Sequence, residues 1–354
     1  MCGLLCFNAR SLARVLATGV TLIYFLLTSK HLGEMDMMKK TLLASAVLMA
    51  SGAALAQSSV TLYGVADLGV GKMAGGKTQM QGNTFINNSV SHLGFRGVED
   101  LGGGLKAGFN FEHAINLENG ENVGAWGRAA NEWLGGNWGR LQLGKATPPS
   151  YNAMRTWDLM GLPLYSPAFF SFGYVGGDSV DRQSSQISYK TPVWGGFSAE
   201  AAYVMKADNN DKAKVDVALT YVNGPLSAGI AVNKTKNNKT NYGLGAKYNF
   251  GTFTLAASYQ DTRNWTYANP GARGRISGLT LGGMAQFGAF SVALDVLREL
   301  KHDIDLDGVT YKRKKYTNGA VELKYALSKR TFFYGVYLRN AGDNNYNIGM
   351  QHRF

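Results

Sequence analysis

The sequence predicts an all-β fold: a sixteen-stranded antiparallel transmembrane β-barrel with a long third loop folded into the lumen. Three observations carry that expectation. Apolar and polar residues alternate in short runs from about residue 60 to the carboxy terminus, the period-two pattern of strands with one greasy face and one wet face. Beyond Gln57 no stretch approaches the ~20 apolar residues of a spanning helix, and a membrane-crossing chain without such helices must close its strands, because lipid cannot solvate open edges. The connections between runs fall into two size classes, seven short and eight long, which together join sixteen strands.

The alternation is explicit along the chain. In the first run Val60, Leu62 and Ala66 face one way, and Thr61, Tyr63 and Asp67 the other. Leu105, Ala107, Phe109 and Phe111 point outward, against Lys106, Gly108, Asn110 and Glu112. Val215, Val217, Leu219 and Tyr221 oppose Lys214, Asp216 and Thr220. Phe253, Leu255, Ala257 and Tyr259 oppose Thr254, Ser258 and Gln260, and Phe290, Val292, Leu294 and Val296 oppose Ser291 and Asp295. In the last run Tyr346, Ile348, Met350 and Phe354 share one face, Asn347, Gln351 and Arg353 the other. A strand buried on both sides would be apolar on both; these tolerate charge on one. On this reading Lys106, Glu112 and Asp67 are lumen-wall residues. The runs at 122–135 and 312–327 alternate poorly.

The short connections are Glu99–Gly104, Gly135–Asn137, Thr191–Gly195, Asn223–Pro225, Asn249–Gly251, Phe287–Ala289 and Ser328-Lys329, all rich in turn formers. The long ones lie near 73–87, 115–121, 147–181, 207–210, 236–239, 263–273, 301–311 and 341–345. Short turns belong on the periplasmic side of such a barrel and long loops outside, and this strand number leaves a lumen wide enough for water.

Before the first strand, Met38-Lys39-Lys40, the apolar run Thr41–Ala50 and Ala54-Leu55-Ala56 read as a secretory signal peptide over 38–56, preceded by a start-site extension at 1–37 that carries both cysteines, Cys2 and Cys6. Removing 56 residues leaves 298 of 354, without cysteine, so stability must come from backbone pairing and burial. It also takes away five basic and two acidic residues, so the formal charge of +12 falls to +9. The basic residues are scattered singly along strands, which argues against a nucleic-acid partner. With 6 Trp, 18 Tyr and 17 Phe, the chain has the aromatic supply that two interfacial girdles need.

The connection 147–181, about 35 residues, is too long to be structureless in a compact fold unless it is functional. It is also apolar, with Met154, Trp157, Leu159, Met160, Leu162, Tyr165, Phe169 and Phe170. Left in water, that surface would be a large greasy patch; packed against the inner wall it narrows the lumen. Its acids, Asp158, Asp178 and Asp181, would face basic side chains across the gap, and alternation turns Arg96 and Arg182 inward. Opposed rows of charge create a transverse field that favours small dipolar solutes. The excess of bases predicts a mild anion preference.

Several stretches, namely Ser59–Gly64, His92–Ala107, Leu143–Pro148, Ile187–Pro192, Gly195–Phe197 and the terminal Gly349–Phe354, resemble the general (non-specific) porins of Gram-negative bacteria, in the subgroup typical of β-proteobacteria. The matches span the whole mature chain. The resemblance implies a homotrimeric outer-membrane barrel that passes small hydrophilic solutes and ions and lies among outer-membrane lipid and lipopolysaccharide. It implies that the barrel-assembly machinery reads the carboxy-terminal strand, with Phe354 as assembly signal. It also makes Arg128 a wall arginine of the constriction and places His92 and Lys145 where the family usually has arginine. Alternation counted from Gln142 turns Lys145 outward, in tension with that placement.

Two motifs carry less. Gly71–Thr78 fits a phosphate loop by letter, but the polar Gln79–Asn88 that follows has no helical stripe. Asp303-Ile304-Asp305-Leu306-Asp307-Gly308 opens like a calcium loop, yet Lys314 stands where a bidentate glutamate belongs, leaving at most weak divalent binding bridging lipopolysaccharide. Five scattered histidines make no metal site, and no cofactor is expected. A barrel hydrolase would need a nucleophile set beside His92 or His113, and no serine has that setting. A non-conducting anchor would not need the apolar third loop. A substrate-specific channel is separable only by uptake.

Overall fold

The computed structural model describes residues 59–172, 181–209, 211–266, 273–306 and 308–354. The signal peptide and start-site extension, Asp178 and Asp307 lie outside the described residues. The strands form one antiparallel sheet of nineteen segments, of which three, with two to four residues each, sit in loops at Gln79–Gln81, Asn122–Val123 and Val309–Lys312. The other sixteen make the wall. β1 (Ser59–Lys72), β2 (His92–Gly102), β3 (Leu105–Ile115), β4 (Ala129–Gly136) and β5 (Gly139–Ala146) precede the third loop. After it come β6 (Gln183–Lys190), β7 (Phe197–Val204), β8 (Lys214–Asn223), β9 (Leu226–Thr235), β10 (Asn241–Asn249) and β11 (Phe253–Thr266). The series ends with β12 (Arg273–Phe287), β13 (Phe290–Leu306), β14 (Thr317–Ala326), β15 (Thr331–Asn340) and β16 (Asp343–Arg353).

Each strand pairs with its sequence neighbour, and β1 closes the ring. Its first half pairs with β2 (Thr61 opposite Arg96) and its second with β16 (Asp67 opposite Gln351). The Phe354 amide and carbonyl both bond to Gly64, so the last residue completes the seam. No edge is left for lipid to solvate. Side chains sort as the alternation requires. Leu281, Ile348 and Val60 are 69%, 70% and 66% exposed on the outside, whereas Asp216, Gln260 and Gln351 are fully covered on the inside.

The structure corrects several boundaries. The connection expected at 341–345 is a two-residue hairpin, Ala341-Gly342, with φ of 54° and 95°. Positive φ at both positions is the twist-matched turn, and glycine takes the second without a Cβ penalty. The hairpins of β11, β12 and β13 run further outward than the polar sequence suggests, so His302, Asp303 and Asp305 are strand residues. β14 starts at Thr317 and β4 at Ala129, later than the ambiguous runs implied.

Within the third loop, α1 (Pro149–Trp157) and α2 (Pro167–Phe172) are short helices. Helix α1 has no side-chain cap of its own, and four successive wall strands supply its ends from their inward faces. Asp216 of β8 accepts from the Ser150 amide (2.9 Å) and hydroxyl (2.7 Å), a carboxylate at the positive end of the helix. Asn152 donates to Glu200 of β7 (3.0 Å). At the other end Ser227 of β9 donates to the Thr156 carbonyl and Lys247 of β10 to the Asp158 carbonyl, both 2.8 Å. Between these ties Ala153, Met154 and Trp157 pack on the inward Ala218 and Ala231. Gly245 is required below: a Cβ there would lie 2.5 Å from Trp157 Cγ.

Candidate functional site

The loop after β1 joins the third loop on the opposite inner wall, which the sequence did not reveal. Ile86 is fully buried with Tyr165 against Ala320, Tyr334, Val336 and Leu338. A polar knot sits beneath it. Asp67, 0% exposed, accepts from the Tyr334 hydroxyl (2.7 Å), Gln351 Nε2 (2.8 Å), the Ser89 amide (2.9 Å) and Asn87 Nδ2 (3.2 Å). Asn88 donates to the Tyr165 hydroxyl (2.7 Å), and that hydroxyl donates to Glu322 of β14 (2.5 Å). A buried carboxylate is tolerated because its lone pairs are filled.

These packings leave a polar cavity of about 400 Å³ on the inner side of β2–β5. His92, Arg128, Arg155, Arg182, Lys324 and Arg353 supply its basic lining, and Glu112 and Asp181 its acids. Arg128 Nε lies 3.3 Å from Glu112 Oε2, and Arg182 pairs with its neighbour Asp181. Tyr63 turns its hydroxyl onto Glu112 Oε1 (2.8 Å), which fixes that carboxylate against the wall. His92 points Nδ1 at the Val90 carbonyl (2.8 Å), so its other ring nitrogen is left for the cavity. Among the described residues, five permanent cations face two lining carboxylates, both engaged by arginine, and Glu322 sits behind Lys324 (2.9 Å), so the described lining keeps an excess of positive charge.

The residues singled out from sequence separate into groups. Arg128, Arg182, His92, Asp181 and Glu112 meet at the cavity. Arg96 does not line it; its guanidinium lies over the Tyr63 ring (5.0 Å), one step nearer the short turns. Lys145 corrects the placement implied by the resemblance: Gln142 and Ala146 take the cavity side, Lys145 points away as alternation from Gln142 requires, and its Nζ bonds to Ser184 (3.0 Å). Asp158 is a second correction. At 3% exposure it closes the loop on itself, accepting from the Leu162 amide (2.7 Å) and the Ser166 hydroxyl, and the wall cation beside it is Lys247 on the strand beneath the helix rather than one across the gap. Burial pushes its carboxyl above the ordinary range. Asp67 is inward but covered by the knot rather than open to the lumen. Lys106 is exposed near the short turns, beside Trp133 and Arg140. Phe354 is outside, 46% exposed. Sequence reasoning missed three cavity cations: Arg353 and Lys324 follow from strand phase, but Arg155 needed the helix.

The motifs set aside take other shapes. Gln79–Gln81 pairs back on Gly69–Gly71, where a phosphate loop needs a helix. Asp305 accepts from Thr310 (2.6 Å) in a hairpin, not a helix–loop–helix.

A sequence profile described as Gram-negative porin matches residues 43–345. The chain belongs to the Gram-negative porin family. It is 35% identical to outer membrane porin protein 32 of Delftia acidovorans over 331 residues, covering 86% of this chain and 90% of that one. The anion-selective porin from Comamonas acidovorans superposes with a TM-score of 0.68 at 28% identity, over 84% of this chain and all of the other. OmpT of Vibrio cholerae in its trimer form shares the fold alone, with a TM-score of 0.62 at 13% identity, over 84% of this chain and 99% of that one. This porin is a multi-pass outer-membrane barrel, and its function is passive passage of small hydrophilic solutes and ions.

Proposed function

We propose that the third loop constricts the lumen and that the basic cavity makes this porin a mildly anion-preferring, non-specific channel. The observation that carries the reading is the cavity lining among the described residues: five permanent cations against two paired carboxylates, with Glu322 behind Lys324 as a third. A low-dielectric wall on both sides keeps that field from being screened as it would be in bulk water. The anion selectivity named for the Comamonas protein supports it. The porin acts as a homotrimer, and β4 supports this: Glu132 is exposed on the same outward face as Leu134, between Phe109 and Leu143 in register. Hydrocarbon penalises that charge, whereas a neighbouring protomer accommodates it. Signal-peptide removal before export, barrel assembly through the strand ending in Phe354 and contact with lipopolysaccharide complete the reading. No step of it requires enzymatic chemistry.

Reversal potentials in a potassium chloride gradient test the charge argument. Arg128→Glu and Arg182→Glu each shift the potential toward cations, and Arg96→Glu, away from the cavity, shifts it less. Equal shifts for all three, or none, would reject the cavity as the selective element.

A further inference from the structure

The outer wall carries a feature that conduction does not use. On the lipid-facing side Ala228, Ala246 and Ala257 stand opposite one another on β9, β10 and β11. Ile230, Leu244 and Tyr259 form the ridge next to them, one step further along the same strands. The small row beside the large one makes an apolar groove of about 810 Å³ that continues to Leu279 and Leu281 on β12.

Above the groove sits a charged clamp on the same outward face. Asp261, fully buried, accepts from Arg275 Nε (2.9 Å) and Nη2 (2.5 Å), Arg263 Nε (3.2 Å) and Nη2 (3.0 Å), and the Tyr242 hydroxyl (3.0 Å). One carboxylate is shared by two guanidiniums whose side chains keep 28% and 31% of their surface. Asp261, Arg263 and Arg275 together sum to one positive charge, Asp303 opposite Arg275 is itself opposite Lys312, and both forks keep donors to spare. Arg263 lies ten residues from the start of β11, and Arg275 twelve from the end of β12, both measured from the short-turn side. At ~3.4 Å per residue and ~45° tilt, those are heights of about 24 and 29 Å, the outer edge of a ~25 Å apolar band. The clamp is at headgroup level of the outer leaflet, and the groove begins at Tyr259, about 14 Å below Arg263 along the strand, with its alanine floor at about 20 Å, within reach of one fatty-acyl chain.

We infer that this wall binds a phosphate-bearing glycolipid of the outer leaflet, its phosphate on Arg263 and Arg275 and one acyl chain in the alanine-floored groove. Arginine forks match phosphate bidentately, and Asp261 holds both forks in place before the lipid arrives. The inference rests on the outer-membrane orientation of the barrel and not on how the pore conducts.

Native mass spectrometry of detergent-purified protein tests it, with bis-phosphorylated lipid A, enzymatically dephosphorylated lipid A and inorganic phosphate as probes. The wild type retains bis-phosphorylated lipid A at about one per protomer, and the Arg263→Gln/Arg275→Gln pair lowers retention at least tenfold. Dephosphorylated lipid A is retained as weakly by the wild type as lipid A is by the pair. Ala246→Trp, which fills the groove, lowers retention with the clamp intact, and Arg330→Gln in a turn at the opposite face leaves it unchanged. Arg275→Lys, which keeps the charge but loses the fork, gives an intermediate loss and serves if the double variant fails to fold. Retention indifferent to the clamp substitutions or to dephosphorylation would overturn the proposal. So would inorganic phosphate displacing the lipid at millimolar concentration, which would mark a free-anion site.

Discussion

Tyr334 shows how a single hydroxyl can organise this lumen. It donates to Asp67 and receives Asn87, Asn88 and Asn347, all within 3.3 Å, so it links β15, β1, β16 and the first loop. Tyr334→Phe leaves those partners buried and short of a bond, and should destabilise the barrel by about 1–3 kcal/mol in urea unfolding from lipid vesicles. An unchanged midpoint would mean that water replaces the hydroxyl. Strand phase made much of this residue chemistry legible: it turned Glu112 and Arg353 inward before any coordinates. At Lys145 phase counted from Gln142 pointed away from the cavity, as found, and the placement implied by the resemblance was the one that failed. Phase gave nothing at Asp158, whose partners Leu162 and Ser166 are local to a loop that has no period to read.

Among the elements, helix α1 is the piece that, on the proposed reading, sets the size of the passage. Its sequence is short, opens with proline and has no cap, so little of its stability is intrinsic. The wall supplies both ends, and Trp157, 1% exposed, supplies the packing. Trp157→Ala should cost about 3–5 kcal/mol of that anchoring, and the loosened loop should raise both mean conductance and open-channel noise. Gly245→Val acts from the other side, by driving a side chain into the indole. Unchanged conductance in both variants would show that the loop's packing does not set the passage. The apolar character of 147–181 pointed to the inner wall, but not to which strands would receive it, because inward polar residues such as Asp216 and Lys247 look alike in sequence until a helix end needs them. The Ala341-Gly342 turn was missed for a simpler reason: the polar residues after it, Asp343 to Asn345, read as loop although they begin β16.

At the scale of the whole molecule, the barrel was the most legible feature. Alternation, the missing spanning helix and the two classes of connection constrain each other, and a closed sheet is the one arrangement that satisfies all three. The first loop was not legible, since Phe85 and Ile86 are two apolar residues in a polar stretch and gave no sign that they would pack with Tyr165. The proposed picture is a hydrated passage narrowed by two inward loops and biased by an excess of arginine and lysine. Single-channel recording in planar bilayers tests that picture most directly. The account predicts ohmic conductance in groups of three equal steps, with a reversal potential of anionic sign in a salt gradient. Folded trimers that insert and remain silent, or that prefer cations, would contradict it.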